Sequence, residues 1–153
     1  MTVVTSTPID ATALDTAFTR ADIEFHGLDH ASASYEGRVF LNKPDATELT
    51  PFDAPEYAGS YFIFGHGGCL GDVGHCDVIE RRPFDPRPPH PLTPTRKAVI
   101  ATDAIRRALA GVGGENAKEL TVTVVPVILS TTPRVGRPDD LVTYDQVQII
   151  TYR

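Results

Sequence analysis

The chain has 153 residues, 41% of them hydrophobic and 22% charged, which is enough to bury a single core without disulfide or metal staples. A net charge of −6, with no basic run longer than the arginine pairs at 81–82 and 106–107, excludes a face that tracks a phosphate backbone. No run of about eighteen apolar residues occurs, so no membrane-spanning helix is expected, and neither nucleic acid nor membrane figures among the expected partners.

Residues 1–20 are small and polar and read as an N-terminal tail or linker, with residues 21–153 as one β-domain. The first eighteen residues lack the basic and continuously apolar regions of a signal peptide, so the expected location is cytoplasmic. Ile23 to Phe25 alternates, and so does Tyr35 to Leu41; turn residues bound both, and each reads as a strand. The acidic stretch 43–56 contains three prolines and reads as a loop. Gly59 to Gly65 is the third strand, and Cys76 to Glu80 a fourth that pairs back. Residues 83–94, PFDPRPPHPLTP, are too rich in proline for a ladder or a helix.

A helix is expected over about 94–111. Thr93 is a suitable N-cap and Pro94 suits the first helical position; Ala98, Ala101, Ile105, Ala108, Leu109 and Val112 recur at helical spacing, and Gly111, Gly113 and Gly114 end it. Leu120 to Leu129 has the strongest β-propensity in the chain, and its Pro126 implies a bulge or an edge. Gln146 to Tyr152 is the last strand. The sum is a mainly β fold: an antiparallel β-sandwich or jelly-roll-like barrel carrying one amphipathic helix.

The stretch 64–78, FGHGGCLGDVGHCDV, concentrates the chemistry, because it holds both cysteines and two of the five histidines. His66, Cys69, His75 and Cys76 offer two thiolates and two imidazoles, a donor set for zinc or Cu(I), although the spacing is not that of paired zinc knuckles. A disulfide between Cys69 and Cys76 would close a short loop and stabilise by roughly 2–3 kcal/mol. A third reading leaves plain thiols in a turn built by Gly65, Gly67, Gly68, Gly71 and Gly74. The same glycines do not form a phosphate loop, because no Gly-Lys-Ser/Thr follows them. His26 and His30 read as turn residues, or as members of a cluster with His66 and His75. His90 lies between prolines. No Gly-x-Ser-x-Gly occurs, and Ser60 has no identifiable base. In the third strand Phe62 and Phe64 share one face and Tyr61 takes the other, so the two phenylalanines are expected in the core and Tyr61 at the surface.

Taken in order, the segments Ile23 to Leu28, Arg38-Val-Phe-Leu-Asn42, Glu56-Tyr-Ala-Gly-Ser-Tyr-Phe62, Ala104-Ile-Arg-Arg-Ala-Leu109, Val122-Thr-Val-Val-Pro126 and Val147-Gln-Ile149 resemble a known module. It is the C-terminal β-domain of tyrosinases, polyphenol oxidases and hemocyanins, and the closest resemblance is to the tails of bacterial tyrosinase-like proteins. The resemblance implies a β-sandwich or jelly roll that sits over a type-3 copper site, shielding it or filling it with a placeholder side chain; Tyr61 and Phe64 are the candidates for that partner-facing role.

The type-3 site itself needs six histidines, and this chain has five, none in the expected helix. A non-catalytic accessory domain for a type-3 copper oxidase is therefore the first expectation. A copper-handling protein using His66, Cys69, His75 and Cys76 is the second. A self-associating structural β-protein, or an enzyme of unrecognised chemistry, is the third.

Overall fold

The computed structural model describes residues 2–30, 32–65, 84, 94–111, 117–128 and 141–153. In chain order the elements are β1 (Val4–Thr5), β2 (Ile9–Asp10), β3 (Arg20–Leu28), β4 (Tyr35–Leu41), β5 (Tyr57–Ile63), β6 (Thr95–Ile100), α1 (Thr102–Ala110), β7 (Glu119–Leu120), β8 (Val122–Ile128) and β9 (Gln146–Tyr152). They form a four-stranded sheet of order β1-β8-β4-β5, a three-stranded sheet of order β6-β3-β9 and a two-stranded β2-β7 pair, and every pairing is antiparallel. None of these sheets closes on itself, so of the two expected architectures the sandwich is the one formed.

The core lies between the sheets. Ile23 and Phe25 of β3 and Ile149 of β9 meet Val39 and Leu41 of β4, Tyr61 and Ile63 of β5, and Val122 and Val124 of β8. Alternation with a period of two sends these side chains inward, and β-branched residues suit such a half-covered pleated surface. Among the described residues β8 is flanked by β1 only at Thr123 and Val124; Pro126, whose nitrogen cannot donate, lies past that contact and has β4 alone beside it. This is the edge position expected of it.

Two expectations change. The helix expected over 94–111 is only Thr102–Ala110; Thr95–Ile100 before it is strand β6, which pairs with β3 from Asp22 opposite Ile100 to Phe25 opposite Lys97. Arg96, Lys97 and Ala98 favour helix only by tenths of a kcal/mol each, and a ladder along the central strand outweighs them. The chain switches at Ala101, whose N–H bonds the Ala21 carbonyl at 2.9 Å while its own carbonyl accepts the first helical bond from Ile105 N–H at 2.8 Å. The helix lays Ala104, Ile105 and Leu109 on the core and ends at Gly111.

Within the segment expected as a tail, Val4–Thr5 extends the larger sheet, and the Thr5 and Thr123 hydroxyls lie 3.1 Å apart. Ala11 and Phe18 are buried in the main core. Arg106 holds Phe18 from above, bonding its carbonyl at 2.9 Å with the guanidinium over its ring.

Gly37 positions an aromatic layer. It stands opposite Tyr61 across β4 and β5, and a Cβ there would lie 2.5 Å from the tyrosine ring. The ring therefore lies flat over bare backbone. Gly37→Ala is expected to destabilise the fold by about 1–3 kcal/mol through overpacking. Urea denaturation checks this, with an unchanged m-value showing that the loss is in the native state.

Candidate functional site

The end of β5 carries the chain towards the Gly/His/Cys stretch. Gly65 N–H donates to Ser34 Oγ at 3.1 Å, and Gly65 packs against the backbone of Ser32 and Ala33, where no Cβ would fit. His66, Cys69, His75 and Cys76, the proposed fourth strand from Cys76 to Glu80, and His90 lie outside the described residues. Among the described residues no group of three or more His, Cys, Asp or Glu side chains is placed to hold a metal. The copper pair implied by the resemblance does not fit this chain's donor set, since five histidines cannot supply six imidazoles.

The two partner-facing candidates separate. Tyr61 is only 4% exposed, whereas Phe64 is 86% exposed and Phe62 is half-exposed. The expected orientation of this strand is therefore reversed: Tyr61 and Ile63 face the core, and the phenylalanines face out. Alternation defines two faces but not which one is inward. The register with β4, which sets Tyr61 on Gly37, decides it.

Tyr61 sits in an aromatic cluster with ring centroids 5.0 Å from Phe25 and 6.1 Å from Tyr35, and Phe25 lies 5.6 Å from Tyr144. Burial raises the Tyr35 phenol to about 12. It raises Tyr61 further, with the neighbouring Tyr35 adding to the effect. Neither buried hydroxyl has a hydrogen-bond partner among the described residues. Both phenols are held in the neutral form by burial.

Among the described residues a group of charged side chains gathers on the opposite sheet. On β3 the residues Ala21, Ile23 and Phe25 face the core, while Arg20, Asp22, Glu24 and His26 take the alternate positions. Asp22 and Glu24 are nonetheless each only 2% exposed. Arg20 grips Asp22 with two bonds, Nε to Oδ1 at 2.8 Å and Nη2 to Oδ2 at 2.6 Å. Glu24 is ion-paired by Arg96 of β6, and its Oε2 lies 3.2 Å from His26 Nε2 and 3.4 Å from Gln148 Nε2 of β9. His26 Nε2 in turn lies 3.2 Å from the Gln148 amide.

Desolvation on its own would raise the Glu24 carboxyl. Hydrogen bonds from Arg96 and Gln148, the Arg96 charge and the contact with His26 outweigh it and hold the group below its ordinary value. Through Arg96, His26 and Gln148 the Glu24 carboxylate ties three strands together. The alternation of acids on β3 is legible in the sequence, but Arg96 as the partner of Glu24 is not, because the sequence reads residue 96 as helical. His30 follows β3 and does not enter this group.

A lowered carboxyl pKa adds stability above the unfolded value near 4.5, and that stability is lost as pH falls through the folded value. Glu24→Gln should therefore cost about 1–3 kcal/mol at pH 7. The gap from the parent protein should narrow in chemical denaturation as pH falls below the unfolded value and on through the lowered folded value, where Glu24 takes up its proton.

No family profile matches the sequence, and no curated protein matches it. Solved structures do. Recombinantly expressed latent aurone synthase, a polyphenol oxidase co-crystallised with hexatungstotellurate(VI), superposes with a TM-score of 0.55 at 16% identity over 99% of this chain. The same enzyme from its natural source gives 0.55 at 18% identity over 98%. In both cases the chain spans 24% of the relative's length. At such identity the shared property is the fold, which is consistent with the C-terminal β-domain that the sequence motifs resemble.

Proposed function

We propose that this chain is a non-catalytic accessory domain that covers the active site of a tyrosinase-like type-3 copper oxidase. The observation that carries the reading is the match of nearly the whole chain to one quarter of a latent polyphenol oxidase. A fold that recurs as a quarter of an oxidase, in a chain short of the required imidazoles, contributes shape and contact rather than oxidation chemistry. The oxidase it matches is a latent form, which fits a part that restrains the enzyme.

Phe64 is the side chain best suited to reach a partner. It stands at the end of a core strand, 86% exposed, with Gly65 beyond it anchored on Ser34. An apolar ring held out on a fixed stalk can enter a concave pocket with little loss of its own conformational freedom. Tyr61, packed in the aromatic cluster, holds the stalk in place from inside.

Adding the protein to a bacterial tyrosinase should slow diphenol oxidation in proportion to occupancy, and the two proteins should co-elute. Phe64→Ala should weaken the inhibition about tenfold or more, as expected for an aromatic anchor. Unchanged oxidation rates together with separate elution would overturn the assignment.

A further inference from the structure

We infer, on the basis of the accessory role proposed above, that the oxidase docks on the outer face of the β1-β8-β4-β5 sheet and on the 43–56 loop folded over it. The surface it brings is apolar with a rim of Lys and Arg. Phe64 alone cannot hold such a complex. One phenylalanine buries on the order of 200 Å², whereas a specific complex takes about 800 Å² from each partner. The anchor ring needs adjoining surface.

That surface lies on the side of the sheet to which Phe64 belongs. Tyr61 and Ile63 point into the core, so the half-exposed Phe62 points out of β5, and Phe64 follows it two residues on. Phe62 stands opposite Glu36 of β4, whose carboxylate is ion-paired with Arg38 at 3.0 Å. Arg38 in turn carries the loop: its Nη1 donates to the Glu48 carbonyl at 2.9 Å, and its guanidinium lies 4.5 Å from the centre of the Phe52 ring. Phe52 is half-exposed and Leu49 almost fully exposed. Phe64, Phe62, Phe52 and Leu49 thus gather on one side of the molecule. On the other sheet the exposed Ile100 and Tyr152 stand opposite Asp22 and Arg20, set among charges. Apolar side chains gathered on one face mark a contact surface, whereas single scattered ones do not.

The loop is held firm enough to serve. Arg107 of α1 donates to the carbonyls of Pro55 at 3.0 Å and Tyr57 at 3.4 Å. Ala46 is buried with Phe40 and Val125, and Thr50 N–H bonds the Thr47 carbonyl at 3.0 Å. A surface fixed in this way loses little conformational freedom on binding. Its charge states the chemistry of its partner. Glu48 and Asp53 are exposed beside Leu49 and Phe52, and Asp45 lies beyond them with Lys43 at 3.3 Å. Acids around an apolar centre are complementary to an apolar surface with a basic rim.

Amide exchange on the parent protein mixed with a bacterial tyrosinase should slow in β5 and in residues 43–56 and stay unchanged in β6. L49S/F62S should weaken the inhibition of diphenol oxidation about tenfold or more. I100S, on the opposite sheet, should leave it as it is. E48K/D53K should slow association severalfold, and so should raising salt from about 50 to 500 mM with the parent protein. Thermal melting confirms that each variant folds, and the exchange measurement needs no variant.

A parent protein that neither inhibits nor co-elutes overturns the accessory role and the docking face together. Inhibition that falls with Phe64→Ala but survives L49S/F62S overturns the docking face alone, as does exchange that is unchanged in β5 and residues 43–56. Association indifferent to both salt and E48K/D53K overturns the basic rim.

Discussion

A strand covered on both faces must satisfy every polar group it carries, and β3 carries two carboxylates. One face of β3 supplies Ile23 and Phe25 to the core; on the other, Asp22 and Glu24 are almost wholly removed from water. Unpaired, they would cost several kcal/mol each. Arg20, Arg96, His26 and Gln148 meet that requirement from β3 itself and from both neighbouring strands. The β6-β3-β9 sheet is thus joined by ladder hydrogen bonds and by one polar network whose members come from all three strands. The same demand explains why Thr95–Ile100 is a strand: Arg96 must lie beside Glu24, and the β6 ladder puts it there.

The second layer is built around aromatic rings. Tyr61 over Gly37, Phe25 against Tyr61 and Tyr144, and Tyr35 beside them fill the space between the sheets. With β5 fixed by this packing, the next outward residue is Phe64, at the mouth of the Gly/His/Cys stretch. An accessory role needs little more than this: a rigid sandwich, a strand end that does not shift, and an exposed group on it. The fold shared with a quarter of a polyphenol oxidase gives that geometry a context.

Much of the fold was readable from residue order. β4, β8 and β9 are runs in which β-branched or aromatic residues recur with a period of two, and such runs have few alternatives to a strand. Pro126 marked an edge because a missing N–H has the same consequence in any sheet. Three features resisted. Thr95–Ile100 contains good helix formers behind a proline and looks like a helix start, since nothing local records the carboxylate waiting on β3. The run Tyr-Phe-Ile-Phe is apolar in both phases, so its inward face cannot be chosen without its neighbour. The polar early segment hides two buried residues, Ala11 and Phe18, the second of them held by Arg106 far along the chain.

The sequence by itself determined that this is a β-rich chain with one helix, acidic, short of the histidines for a type-3 copper pair, and ordered in its motifs like the β-domain of copper oxidases. Those properties follow from composition, short-range periodicity and segment order. Only the tertiary structure decided that the sheets stay open as a sandwich, that Tyr61 is inside and Phe64 outside, and that Glu24 is held ionised by Arg96. Each of these depends on which strands lie side by side and in what register, and pairings between residues as far apart as Arg20 and Tyr152 leave no local trace in the chain.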